Sequence, residues 1–126
     1  MNVAATIDTY LRAWRDQDPE LIVTIFTADA TYHERVLAEP IRTLDGIKEY
    51  WQTKVVKEQA NIETHLLNLY LANNGTTAIA EWEAVFDDLV RGYRIRMREV
   101  AILEFVNDKI ASLREYWASE RLDSVT

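Results

Sequence analysis

Residues 77–106, TAIAEWEAVFDDLVRGYRIRMREVAILEFV, decide the fold. Character alternates along both halves of this stretch. Ala80, Trp82, Ala84 and Phe86 share one side, and Glu81 and Glu83 take the other. Past the middle, Tyr93, Ile95, Met97, Ala101 and Leu103 alternate with Arg94, Arg96 and Arg98. A period of two means strands with one apolar and one charged face. A tight turn at Asp88–Leu89, with Asp87 opposite Val90, sets Glu83 against Arg94 and Glu81 against Arg96. Opposite charges across antiparallel strands add a few tenths to about 1 kcal/mol. A two-residue slip leaves the faces unchanged. One residue on the apolar face is out of character: Glu99.

Working outward, NIETHLLNLYLA (61–72) reads as a preceding strand with NNG as its turn. KIASLREYWAS (109–119) reads as a following strand entered through Asn107–Asp108. Before Gln59 the period becomes helical. Val3, Ile7, Tyr10, Leu11 and Trp14 mark a first helix that Asn2 caps and that ends near Asp16. Asp18 caps a second, Pro19 suits its first position and Glu20 its positive end. Leu21, Ile22, Ile25 and Phe26 form its buried stripe. ATYH is a short strand and EPIRT a connector. Thr43 caps a third helix through about Gln59, with Ile47, Tyr50, Trp51 and Val55 inward; Gly46 weakens its first turn by about 1 kcal/mol. The order α-α-β-α-β-β-β-β, helices early and an antiparallel meander late, is α+β.

Only three Gly and two Pro interrupt the 126 residues, and no linker or repeat divides them, so residues 1–126 read as one domain. The chain has no cysteine, which excludes disulfides and fits a reducing cytoplasm. No apolar run reaches the roughly 18 residues of a membrane span, and the N-terminus has no signal-peptide pattern. A net charge of −7 opposes nucleic-acid or anionic-membrane binding. His33 and His65 stand at no metal-ligand spacing, so neither a metal nor another cofactor is expected. Ser112 and Ser119 belong to no nucleophile motif, and no glycine-rich phosphate loop exists.

Ionisable residues crowd into YHERVLAEP, residues 32–40. Glu34 is either an acid–base group at a pocket mouth, its pKa raised beside Trp14, Tyr32 and Trp51, or an ion-pair partner of Arg35 or His33. Glu99 is either a proton-transfer group in an apolar hollow or the partner of Arg91 or Arg114. Tyr10 either aims its phenol at a ligand or is a core residue with a satisfied hydroxyl. Trp14, Trp51, Trp82 and Trp117 are core or pocket wall. The Arg94/Arg96/Arg98 row is sheet exterior or a dimer interface.

The segments YLRAWRDQDPELIVTIFTADATYHE, EPIRTLDGIKEYW, AEWEAVF and IASLREYW resemble the NTF2-like superfamily, and within it the SnoaL-like branch. The resemblance implies a curved sheet closed as a cone around three N-terminal helices, an apolar pocket inside, and a homodimer. The superfamily holds isomerases, polyketide cyclases, dehydratases, epoxide hydrolases and plain binding modules, so it leaves activity open. Its ketosteroid isomerase branch places an oxyanion-binding tyrosine on Tyr10 and a general base on Glu34, with Glu39, Pro40 and Trp117 also matched. That branch's second, protonated acid falls on Ala101, which cannot donate. Losing such a donor costs about 2.7–4 kcal/mol of transition-state stabilisation, so steroid isomerisation is not expected.

These readings define two alternatives. One is cofactor-free acid–base chemistry on a small, largely apolar molecule: isomerisation, cyclisation or hydration next to a carbonyl. Glu34, Tyr10 and Glu99 would be catalytic, with Trp14, Tyr32, Trp51, Trp82, Phe86, Met97 and Trp117 forming the binding wall. The other is a noncatalytic ligand-binding or dimerisation module.

Overall fold

The computed structural model describes residues 2–124. Helix α1 spans Val3–Arg15; the Asn2 side chain accepts from the Ala5 N–H at 3.0 Å, as its capping role requires. Its buried stripe holds Ile7, Tyr10, Leu11, Ala13 and Trp14. Helix α2 covers only Pro19–Ile22, with the Asp18 carboxylate accepting from Leu21 N–H. A single 3-10 turn follows at Val23–Ile25, and strand β1 runs from Phe26 to His33. The second helix is therefore shorter than its apolar stripe suggests. Phe26 lies on the strand, because the same side chain suits the core in either backbone state.

The connector contains a two-residue strand, β2 (Ile41–Arg42), antiparallel to β1. Helix α3 then runs Thr43–Tyr50 and widens into a π-helical turn at Trp51–Val56. The Thr43 hydroxyl accepts from Gly46 N–H at 3.3 Å. Ile47, Trp51 and Val55 all remain buried.

The meander comprises β3 (Gln59–Leu71), β4 (Thr77–Asp88), β5 (Tyr93–Val106) and β6 (Lys109–Ser124). The sheet order is β2-β1-β6-β5-β4-β3. Pairing is antiparallel throughout except where β6 returns alongside β1 in parallel. The sheet curves around the helices, and its inner face supplies Ala80, Trp82, Ala84, Phe86, Ile95, Ala101 and Leu103 to the core.

The faces of β4 and β5 are as expected, but the turn is not at Asp88–Leu89. Asp88 pairs with Tyr93, Asp87 with Arg94, Glu83 with Arg98 and Glu81 with Val100. Asp88 sets the longer connection: its carboxylate accepts from the N–H groups of Val90 and Arg91 at 3.0 and 2.9 Å. Gly92 closes it at φ +82, and its N–H donates to Asp88 O at 2.8 Å. Charge complementarity survives the four-residue change, because every second residue of β5 from Arg94 to Arg98 is an arginine. Arg98 reaches Glu83 at 2.9 Å and Arg94 reaches Asp87 at 2.9 Å.

Candidate functional site

Between the helices and the inner sheet face lies a cavity of about 410 Å3. That falls within the range of small-molecule sites, roughly 300–1,000 Å3. Tyr10 and Trp14 enter it from α1, Tyr32 from β1, Trp51 from the π-helical turn, and Phe86, Met97, Glu99 and Trp117 from the meander; Glu34 lines it just past β1. Trp82 does not line it. Its indole is fully buried behind Glu99 and donates to Glu99 Oε2 at 3.0 Å, so it reaches the cavity only through that carboxyl group.

The chemistry concentrates at the floor. Glu99 and Glu115 are 2% and 4% exposed, so both carboxyl groups are cut off from bulk water. They sit on the same inner face: Glu99 is opposite Trp117, and Glu115 is opposite Ala101, which makes the two acids diagonal neighbours on β5 and β6. Glutamate side chains reach across such a diagonal, and here each carboxyl group perturbs the ionisation of the other. Neither Arg91 nor Arg114 pairs with Glu99; those arginines bind Asp88 and Glu104.

Two phenols converge on Glu115. Tyr10 donates to its Oε1 at 2.7 Å and Tyr32 to the same oxygen at 2.5 Å. The phenol oxygens are themselves 2.5 Å apart, forming a compact triangle. Packing fixes both rings. Tyr10 stacks on Trp82 at 4.8 Å and meets Trp51 edge-on at 5.7 Å; Tyr32 lies 5.6 Å from Tyr50. Trp51 is pinned by an N–H bond to Ala13 O at 3.0 Å, and Trp14 by one to Gln59 Oε1 at 2.8 Å.

Burial dominates the electrostatics. Desolvation pushes Glu115 up to about 7, even though the Tyr32 and Tyr10 hydrogen bonds act in the opposite direction. Desolvation, then the charge of Glu115, drives Glu99 well above the usual carboxyl range. Burial and the neighbouring Glu115 charge also raise both tyrosines, so near neutral pH they remain donors. Two acids in contact titrate as a pair, and burial favours the protonated forms of this one.

Glu34 stands nearer the mouth, its side chain 22% exposed, with Arg35 Nε 3.4 Å from its carboxylate. Its backbone carbonyl accepts from Trp117 Nε1 at 3.0 Å, and the Arg35 guanidinium lies 5.3 Å over the Trp117 ring. His33 and His65 belong to β1 and β3, separated by three strands of the sheet. Among the described residues no three His, Asp or Glu side chains are grouped as metal ligands.

Sequence reasoning did not single out Glu115. The signal was present: Glu115 alternates with Leu113 and Trp117, and the parity that isolates Glu99 on β5 isolates it on β6.

The model of the SnoaL-like domain family matches residues 7–113. The chain belongs to that family. The SnoaL-like match stops just short of Glu115 and Trp117, so half of the acid pair lies beyond it. No curated protein matches the sequence. Among solved structures, the chain resembles SalBIII, described as an epoxide hydrolase/cyclase-like enzyme in pyran ring formation in the polyether salinomycin. Identity is 19%, coverage 94% of this chain and 95% of that one, and the TM-score 0.82. It also resembles a putative isomerase from Bacillus subtilis at 16% identity, covering 94% and 90% of the two chains, with a TM-score of 0.81. A computationally designed 17-OHP binder follows at 12% identity, covering 94% and 97%, with a TM-score of 0.78. At these identities the likeness concerns the fold: an NTF2-like cone that hosts enzymes and pure binders alike.

Proposed function

We propose that this SnoaL-like protein is a cofactor-free acid–base catalyst acting on a small, largely apolar molecule. The buried Glu99–Glu115 pair facing a cavity walled by aromatic side chains and by charged ones such as Lys54, Glu58, Arg91 and Glu120, with Glu34 nearer its mouth, carries the reading. Glu34 takes a proton from the substrate, and the pair delivers one to a substrate oxygen at the floor. The two transfers balance, so the net reaction is an isomerisation, a cyclisation or the addition of water. Solvent at the mouth returns the proton from Glu34 to the pair between turnovers. Glu99 is the second acid–base group, and Tyr10 stabilises negative charge through Glu115. Trp14, Tyr32, Trp51, Phe86, Met97 and Trp117 exclude water from the substrate, and Trp82 holds Glu99 from behind.

A neutral oxygen acceptor suits this floor: an epoxide, an ether or a carbonyl. A carboxylate would meet the pair's own charge. The epoxide hydrolase/cyclase-like description of the SalBIII structure fits this class without assigning it. The protein works as a homodimer in this reading, joined through the outer sheet face.

A panel of small lipophilic epoxides, hydroxy-epoxides and unsaturated ketones tests the proposal. Conversion of at least one member is expected. It should fall about 100-fold or more in Glu34→Gln and Glu115→Gln, the usual size of a general acid–base contribution. Variants that convert as fast as the parent would remove the mechanism. Binding of panel members, seen as quenched tryptophan fluorescence, without conversion by the parent favours the noncatalytic ligand-binding reading.

A further inference from the structure

The two acids at the floor have unequal surroundings. Glu115 Oε1 accepts from two phenols at 2.7 and 2.5 Å, and Glu99 is its diagonal neighbour across the strands. Glu99 receives one N–H, from Trp82 at 3.0 Å. Donors stabilise the ionised form of the carboxyl group they reach, and several together do so strongly. The phenols come from helix α1 and strand β1 and their carboxyl partner from β6, so the arrangement depends on the assembled cone rather than on one segment.

We infer that Tyr10 and Tyr32 are positioning residues that collect the negative charge of the acid pair on Glu115, while Glu99 keeps its proton. This deepens the proposed acid–base reading by dividing the roles within the pair. With both acids protonated, the O–H bond of Glu115 breaks and a bond to the substrate oxygen forms. The electron pair stays on Glu115, held by the hydrogen bonds from Tyr10 and Tyr32 with protonated Glu99 beside it. The phenols therefore act on the catalyst's charge and have no hydrogen left for a substrate oxyanion.

The charged and titratable groups around Glu115 are Tyr10 from α1, Tyr32 from β1, Glu34 just beyond β1, Tyr50 from α3 and Glu99 from β5. Tyr50 remains neutral and contacts Tyr32 rather than the acids, so Tyr10, Tyr32 and protonated Glu99 are the stabilising partners. Desolvation raises Glu115 and the hydrogen bonds from Tyr32 and Tyr10 oppose it, which leaves it at about 7.

The test uses ligand-free protein labelled with 13C at the glutamate carboxyl carbons, followed by NMR from pH 5 to 10. The first carboxyl to titrate is expected to be Glu115, with Glu99 still protonated at its midpoint; Glu99→Gln and Glu115→Gln assign the two signals. Tyr10→Phe and Tyr32→Phe should each raise the Glu115 midpoint by about one pH unit, the equivalent of one charge-assisted hydrogen bond. A tyrosine that merely fills space would leave it in place. Ionisation of Glu99 before Glu115, or unmoved midpoints in folded Phe variants, overturns the inference. If a Phe variant fails to fold, the order of ionisation in the unaltered protein decides alone. Because no substrate is used, absence of turnover would count against the proposed catalysis and leave this result untouched.

Discussion

At the scale of the residue, one parity argument governs the site. An inward position on a strand facing helices should be apolar, and Glu99 breaks that rule conspicuously among Ile95, Met97, Ala101 and Leu103. Glu115 breaks it too, but Arg114 and Tyr116 flank it, and in isolation the run REY looks like solvated edge. Its meaning appears only once β6 is assigned a face. The hydroxyl partners of Glu115 were beyond any sequence argument, because Tyr10 and Tyr32 lie 105 and 83 residues away along the chain. Ala101 is legible in the same terms. It lies opposite Glu115, so carboxyl groups on both sides of it occupy a floor where alanine itself offers none. Trp117 gives a further expectation at this scale. Its N–H holds the Glu34 carbonyl at 3.0 Å, so Trp117→Phe should cost about 1 kcal/mol. Amide hydrogen exchange around residues 33–35 should accelerate while exchange in α1 stays unchanged.

At the scale of the element, what the sequence conveyed was periodicity, and what it withheld was ends. Asn2 and Asp18 signal their helices because a short oxygen-bearing side chain satisfies a free N–H there. No comparable signal separates α2 from the 3-10 turn after it, or α3 from its π-helical continuation. The same buried side chains serve both geometries. The β4–β5 register was ambiguous for a similar reason: a ladder of arginines offers glutamate and aspartate partners at successive two-residue steps. Local turn chemistry settles it, through Asp88 and Gly92. At Gly92, φ is +82 and an added Cβ would meet nothing within 4 Å. Gly92→Ala should therefore cost about 1–2 kcal/mol through left-handed backbone strain alone, measured as a lower denaturant midpoint with unchanged slope.

At the scale of the whole molecule, stability should depend on the acid pair. Glu115 is raised from 4.5 to about 7 and Glu99 is also raised well above its ordinary value, so the folded protein binds more protons than the unfolded chain above pH 4.5. Their contribution is complete below that pH. It falls as pH rises through 7 and beyond, by an amount on the order of a few kcal/mol. Thermal melts should show a lower midpoint at pH 8.5 than at pH 5.5, and Glu99→Gln/Glu115→Gln should flatten that difference. The outer face of the sheet carries Tyr70, Ile79, Val100 and Tyr116 at 58%, 36%, 36% and 47% exposure. Register places Tyr70 beside Ile79 and Val100 beside Tyr116. The proposed homodimer buries this face, and Tyr116→Glu should convert it to monomer in sedimentation.

The parallel seam between β1 and β6, where Tyr32 lies beside Leu113, also sets an order of events on the ribosome. Strand β1 must wait until β6 has been translated before its parallel neighbour exists, and contacts this distant in sequence form slowly. Until then Tyr10 and Tyr32 have no carboxylate to meet. A nascent chain arrested before residue 113 should lack both the closed wall and the acid centre, however well its helices have formed.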